Sequence, residues 1–153
     1  MYYIGNITGD IYIRMLNHLG KSCDSFHLVE PIGDSSGFPS DLPPVKQKLN
    51  EYLCEKRRVT SWAGTKIRVR EEKRKAIEHI YKCCKSSVDK LSAYDSFLDI
   101  ENQIYVAFLK ENQCIIFTIS HERIVMTEES FWGDFFDNTD CVLHKAKNFK
   151  MIM

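Results

Sequence analysis

Ile11, Met15, Leu16 and Leu19 fall at i, i+4, i+5 and i+8, one stripe of a 3.6-residue period. Asp10 can cap that stripe and Gly20 can close it, so the pattern predicts a helix over 11–19. Val45, Leu49, Tyr52 and Leu53 repeat the spacing behind Pro43 and Pro44, which suit a first helical turn, and a second helix is expected over 44–56. Ala76, Ile77, Ile80, Tyr81, Cys84, Val88 and Leu91 carry it again with Lys and Arg between them, predicting a long helix from Glu72 onward. The basic start of that helix runs against the macrodipole, which favours acids there.

Elsewhere the pattern changes to short runs of β-branched and aromatic residues. SFHLV (25–29) is a candidate strand, followed by the loop IGDSSGFPSDLPP, dense in Gly, Pro, Ser and Asp. RVTSWAGTKIRVR alternates about Ala63-Gly64-Thr65, with Val59, Ser61, Ile67 and Val69 on alternate positions, and predicts a basic hairpin. After Tyr94, FLDI, QIYVAFL, CIIFTI, RIVMT and CVLHK are separated by hairpin-length gaps such as KENQ and predict an antiparallel meander. Helices first and strands later define an α+β fold, with N-terminal helices packed on a mainly C-terminal antiparallel β-sheet.

Length adds one constraint: 153 residues suit a single domain, 1–153, with enough chain to bury a core without staples. The longest apolar run lies in CIIFTI, far below the roughly 20 residues that cross a bilayer. The first twenty residues lack a basic start, a continuous apolar stretch and a small-residue cleavage site, so a cytoplasmic protein is expected. Six cysteines in such a chain are expected as free thiols, which also makes the Asn6-Ile7-Thr8 sequon irrelevant.

Charge changes the picture more. The formal net charge is zero, yet residues 56–75 hold nine Lys or Arg against Glu71 and Glu72, and residues 122–140 hold six acids against Arg123. Surface fields act over about 8 Å at physiological salt, so these local excesses matter more than the total.

Candidate chemistry is sparse. Gly20-Lys21-Ser22 matches the tail of a phosphate-binding loop, but Met15 stands where the first glycine belongs and the sequence closes a helix instead of opening one. His79, Cys83 and Cys84 have helical metal-ligand spacing without a second ligand pair, so small residues on a half-buried helix are the simpler reading and no metal is expected. His121-Glu122, with Asp134, Asp137 or Asp140 nearby, offers acid–base groups, but neighbours on a continuing strand face opposite ways. No catalytic residue and no cofactor is assigned, and the chain is read as a non-enzyme.

Two surfaces remain. EESFWGDFFDNTD (128–140) holds five carboxylates and four rings with no Lys or Arg. The rings can be core, but the acids cannot follow them inward without partners. Facing water, they form an acidic rim about an aromatic centre, the anatomy of an interface for a cationic protein. Trp132 and Phe135 are the expected anchors, with Glu128, Glu129, Asp134, Asp137 and Asp140 as complementary charge. The alternative is an RNA- or DNA-binding module using Arg57, Arg58, Trp62, Lys66, Arg68 and Arg70, cations for phosphates and one ring for stacking.

In size, expected compartment and acidic aromatic patch, the chain resembles the immunity proteins of bacterial contact-dependent inhibition and other polymorphic toxin systems. That resemblance implies a small α+β inhibitor whose partner is a cognate protein toxin domain. Acids on the inhibitor would take the places of nucleic-acid phosphates on a nuclease toxin. The basic stretch 56–75 departs from the acidic balance of many nuclease inhibitors, and no membrane partner is expected.

Overall fold

The computed structural model describes residues 2–5, 7–32, 44–66, 75–100, 104–137, 139, 143–145 and 151–152. They form an α+β fold. Strands β1 (Tyr2–Ile4), β2 (Ser25–Ile32), β3 (Leu53–Val59), β5 (Lys75–Lys82), β6 (Tyr105–Lys110), β7 (Gln113–Ile119), β8 (Ile124–Thr127) and β9 (Leu143–Lys145) build one sheet. Its order is β3-β5-β2-β6-β7-β8-β1-β9. Every pairing is antiparallel. Strands β4 (Thr65–Lys66) and β10 (Met151–Ile152) pair separately.

Helices α1 (Asp10–Ser22), α2 (Pro44–Lys48) and α3 (Lys85–Leu91) cover one face. Alternation on the strands turns Phe26 and Leu28 of β2, Tyr81 of β5, Val106 and Phe108 of β6, and Val125 of β8 toward them. Met15, Leu16 and Leu19 of the predicted stripe meet this face with Tyr12, while Ile11 is only partly buried at its border, and Val45, Leu49, Val88 and Leu91 join them. The helix outruns its predicted end because Gly20 is a contact point. A Cβ on Gly20 would lie 2.7 Å from Val88 Cγ2 and 3.5 Å from the Cys84 carbonyl, so its small size lets α1 approach α3. Gly9, not Asp10, occupies the N-cap position.

The opposite face is covered by the chain around Trp62. Val29, Ala76 and Tyr105 pack with Trp62, and beside them Ala107, Phe117, Ile119 and Met126 pack with Ala63. Gly64 adopts φ +95, and a Cβ there would lie 2.2 Å from the Thr118 carbonyl oxygen. The turn therefore requires glycine to sit this close to β7.

Four predicted elements are corrected. The long helix is β5 followed by α3; β5 reads KAIEHIYK and is buried on both faces as a strand between β3 and β2, which hides the period of two. The second helix stops at Lys48, a 3-10 turn spans Asn50–Tyr52, and its expected last turn becomes edge strand β3. FLDI contributes a 3-10 turn over Phe97–Asp99. The basic hairpin does not close on itself: the turn at Ala63-Gly64 exists, but β3 pairs with β5 and Thr65–Lys66 pairs with β10, while residues 67–74 lie outside the described residues.

Candidate functional site

Residues 128–137 leave β8 and fold into successive turns held by Trp132 N to Glu129 O, Phe135 N to Trp132 O and Asp137 N to Asp134 O, at 2.9–3.1 Å. Glu128 starts the run. Its carboxylate accepts from the backbone N–H of Ser130 and Phe131, each at 2.7 Å, and from the Ser130 hydroxyl. Partial burial pushes the Glu128 pKa up, but these hydrogen bonds outweigh it and hold the carboxyl below its ordinary value.

Trp132 is not an exposed anchor. It is 2% exposed and belongs to the main core, and its indole Nε1 donates to Thr127 Oγ1 at 2.6 Å. Phe131, Phe135 and Phe136 are half-buried against the same core. The space among these rings is occupied from within the chain. His18 of α1 stacks on Trp132 at 5.3 Å between centroids and also meets Phe131 at 5.1 Å and Phe135 at 5.5 Å, while Arg14 lies 5.4 Å from the Phe135 centroid. Arg14 and His18 are one helical turn apart, so one face of α1 clasps the segment. The rings are a fastening, and apolar burial explains their position.

The acids behave differently. Glu129, Asp134 and Asp137 are exposed and form no ion pair with Lys or Arg among the described residues. Glu129 hydrogen-bonds Tyr2, and that bond raises the Tyr2 pKa. Tyr2, Glu128, Glu129, Ser130 and Gly133 line an open groove of about 390 Å³. Tyr2 escaped the sequence reading because only the β1–β8 pairing brings the N-terminal strand beside residues 128–133, while Ser130 and Gly133 lie inside the quoted segment but carry neither charge nor ring. Asp140 lies outside the described residues.

The proposed basic surface loses its aromatic member. Trp62 is 4% exposed and packs edge-on against Tyr105 at 5.6 Å, so it is no stacking platform. Arg57 Nε and Nη2 both donate to Glu78 Oε1 at 2.7 Å, with His27 Nδ1 3.4 Å from Glu78 Oε2. Burial opposes ionisation of Glu78, but His27 and Arg57 together hold its pKa below the ordinary value. Arg58 is exposed and engaged in a further interaction, Lys66 is described only as part of β4, and Arg68 and Arg70 lie outside the described residues.

The remaining candidates do not gather. His79 lies within β5 and Cys83 just beyond it, so the helical ligand spacing does not exist, and no group of three or more His, Cys, Asp or Glu suits a metal among the described residues. Cys23, Cys54, Cys83, Cys84 and Cys114 are free thiols. Gly20-Lys21-Ser22 closes α1. His121 and Glu122 lie in a 3-10 turn, not on a continuing strand. Among the described residues no helix is long and apolar enough to cross a membrane. Comparison with protein-family models, curated proteins and solved structures finds no match for this chain.

Proposed function

We propose that this chain is a binding protein of the immunity type, which neutralises a cognate bacterial toxin in the cytoplasm without turnover. The toxin is most simply a nuclease, whose basic active-site face the acidic surface of residues 128–137 would cover. The observation that carries the reading is the exposed set Glu129, Asp134 and Asp137, uncompensated by Lys or Arg among the described residues, on a segment whose backbone is already fixed by Trp132 and Glu128. Prefixed acids lose little conformational entropy on docking and steer a cationic partner toward themselves. Trp132 then supports the surface from below, and Phe135 is half-buried beside it.

The test is the affinity of the purified chain for the C-terminal toxin domain encoded beside its gene. Glu129→Lys combined with Asp134→Lys should weaken the complex at least about 30-fold, the equivalent of about 2 kcal/mol. An unchanged dissociation constant would remove this surface from the interface, and absence of any complex with the wild-type chain would remove the immunity reading.

A further inference from the structure

The other end of the sheet holds a buried polar cluster unrelated to the acidic surface. Lys46 of α2 has a side chain only 2% exposed and is ion-paired with Glu30 of β2. On the adjacent strand, His79 is 4% exposed and stacks on Tyr81 with centroids 6.3 Å apart and planes 10° apart. Its Nδ1 is buried without a hydrogen-bond partner. The register puts His79 opposite Leu28 on one side and Lys56 on the other, so it shares the helix-covered face with both.

We propose that Glu30, Lys46 and His79 form an acid-released latch, in which protonation of His79 frees α2 from the sheet. The charge balance carries it. With a neutral imidazole, Lys46 is matched by Glu30. A protonated imidazole would set two buried cations, His79 and Lys46, against the single Glu30 carboxylate, with exposed Lys56 adding to the repulsion from the solvent side. Arg58 lies on the same face of β3 but is engaged in an interaction of its own, the Tyr81 phenol is kept neutral by burial and by Glu30, and Lys48 of α2 is exposed. Glu78 cannot compensate, because it lies on the other face of β5 and is committed to Arg57 and His27. Burial first, then Lys46 and Lys56, lowers the His79 pKa to about 4. The weakest attachment should give way: α2 has five residues, too few to stand as an isolated helix, and is held by Val45, Leu49 and the Lys46 ion pair.

Two NMR measurements test this: titration of the His79 imidazole, and the exchange protection of the Leu49 amide, which donates to Val45 O at 3.1 Å. In the wild-type chain, Leu49 protection should fall about tenfold or more as His79 gains its proton. In His79→Gln it should stay constant over the same interval. Lys56→Gln, at an exposed position, should raise the imidazole midpoint and move the loss of protection to higher pH with it. Constant protection in the wild type, or an equal loss in His79→Gln, would overturn the latch. If His79→Gln does not fold, an unmoved transition in Lys56→Gln overturns it instead.

Discussion

Replacing Trp132 tests whether its ring serves the core or a partner. It is buried in the main cluster, stacks with His18 and donates its indole N–H to a fully buried Thr127 hydroxyl. Trp132→Ala removes a ring that cannot be replaced by collapse, and such truncations cost about 3–5 kcal/mol. For a chain of this size each kcal/mol lowers Tm by about 2–4 °C, so the melting temperature should fall by roughly 6–20 °C. Trp132→Phe separates the contributions. It keeps most of the apolar contact but leaves Thr127 Oγ1 without its donor, although that hydroxyl can still donate to Ile115 O or Glu128 O at 3.1 Å. A cost of about 1–2 kcal/mol is expected for that change. Chemical denaturation followed by circular dichroism measures both, with an unchanged m-value showing that the denatured state is unaffected. A Trp132→Ala chain within about 0.5 kcal/mol of wild type would behave like a surface substitution and refute the packing.

Gly64→Ala should cost about 3 kcal/mol, because the new Cβ meets the Thr118 backbone at φ +95, whereas Gly133→Ala should cost about 1 kcal/mol, its positive φ being unaccompanied by any atom within 4 Å; thermal melts compare the two. Acid should destabilise the fold in two stages. The folded His79 pKa, about 4, lies below its ordinary 6.5, so the folded state binds fewer protons and stability is lost as pH falls from 6.5 toward 4. The whole shift corresponds to at most about 3 kcal/mol, and His79→Gln should abolish this stage in urea titrations. Glu78 and Glu128, with lowered folded pKa values, contribute stability that is lost at lower pH, as each is protonated below its ordinary value.

Helix α1 and strands β6 to β8 were legible because each buries one face and exposes or differently packs the other, which leaves its period in the sequence. Strand β5 was not. Ala76-Ile77 and Ile80-Tyr81 fit both a helix stripe and a strand buried on two sides, and only pairing with β2 and β3 decides between them. Strand β3 carries no apolar alternation, since an edge strand is specified by its neighbour and protected by its charges. Both tryptophans sit in highly charged stretches, which made them look like surface residues. Their destinations depend on residues distant in sequence, Tyr105 for Trp62 and His18 for Trp132, and local pattern contains neither.

The same pairings explain how a chain of zero formal charge keeps an acidic face. Carboxylates claim cations at one end of the sheet: buried Glu78 takes Arg57 and half-buried Glu30 takes Lys46. At the β8–β1 end, the clasp on residues 128–137 uses His18 and Arg14 against rings, which leaves Glu129, Asp134 and Asp137 without an ion pair among the described residues. Strand β3 stands five steps from β8 in the sheet, roughly 24 Å at the usual strand spacing, about three Debye lengths at physiological salt. Cations on the β3 edge are therefore screened from the acids at β8, so neutrality of the whole molecule does not quench the local field. An approaching cationic surface would meet that field on a backbone already ordered by Glu128 and Trp132, which is why burying the aromatic centre relocates the case for a docking face onto its acids instead of ending it.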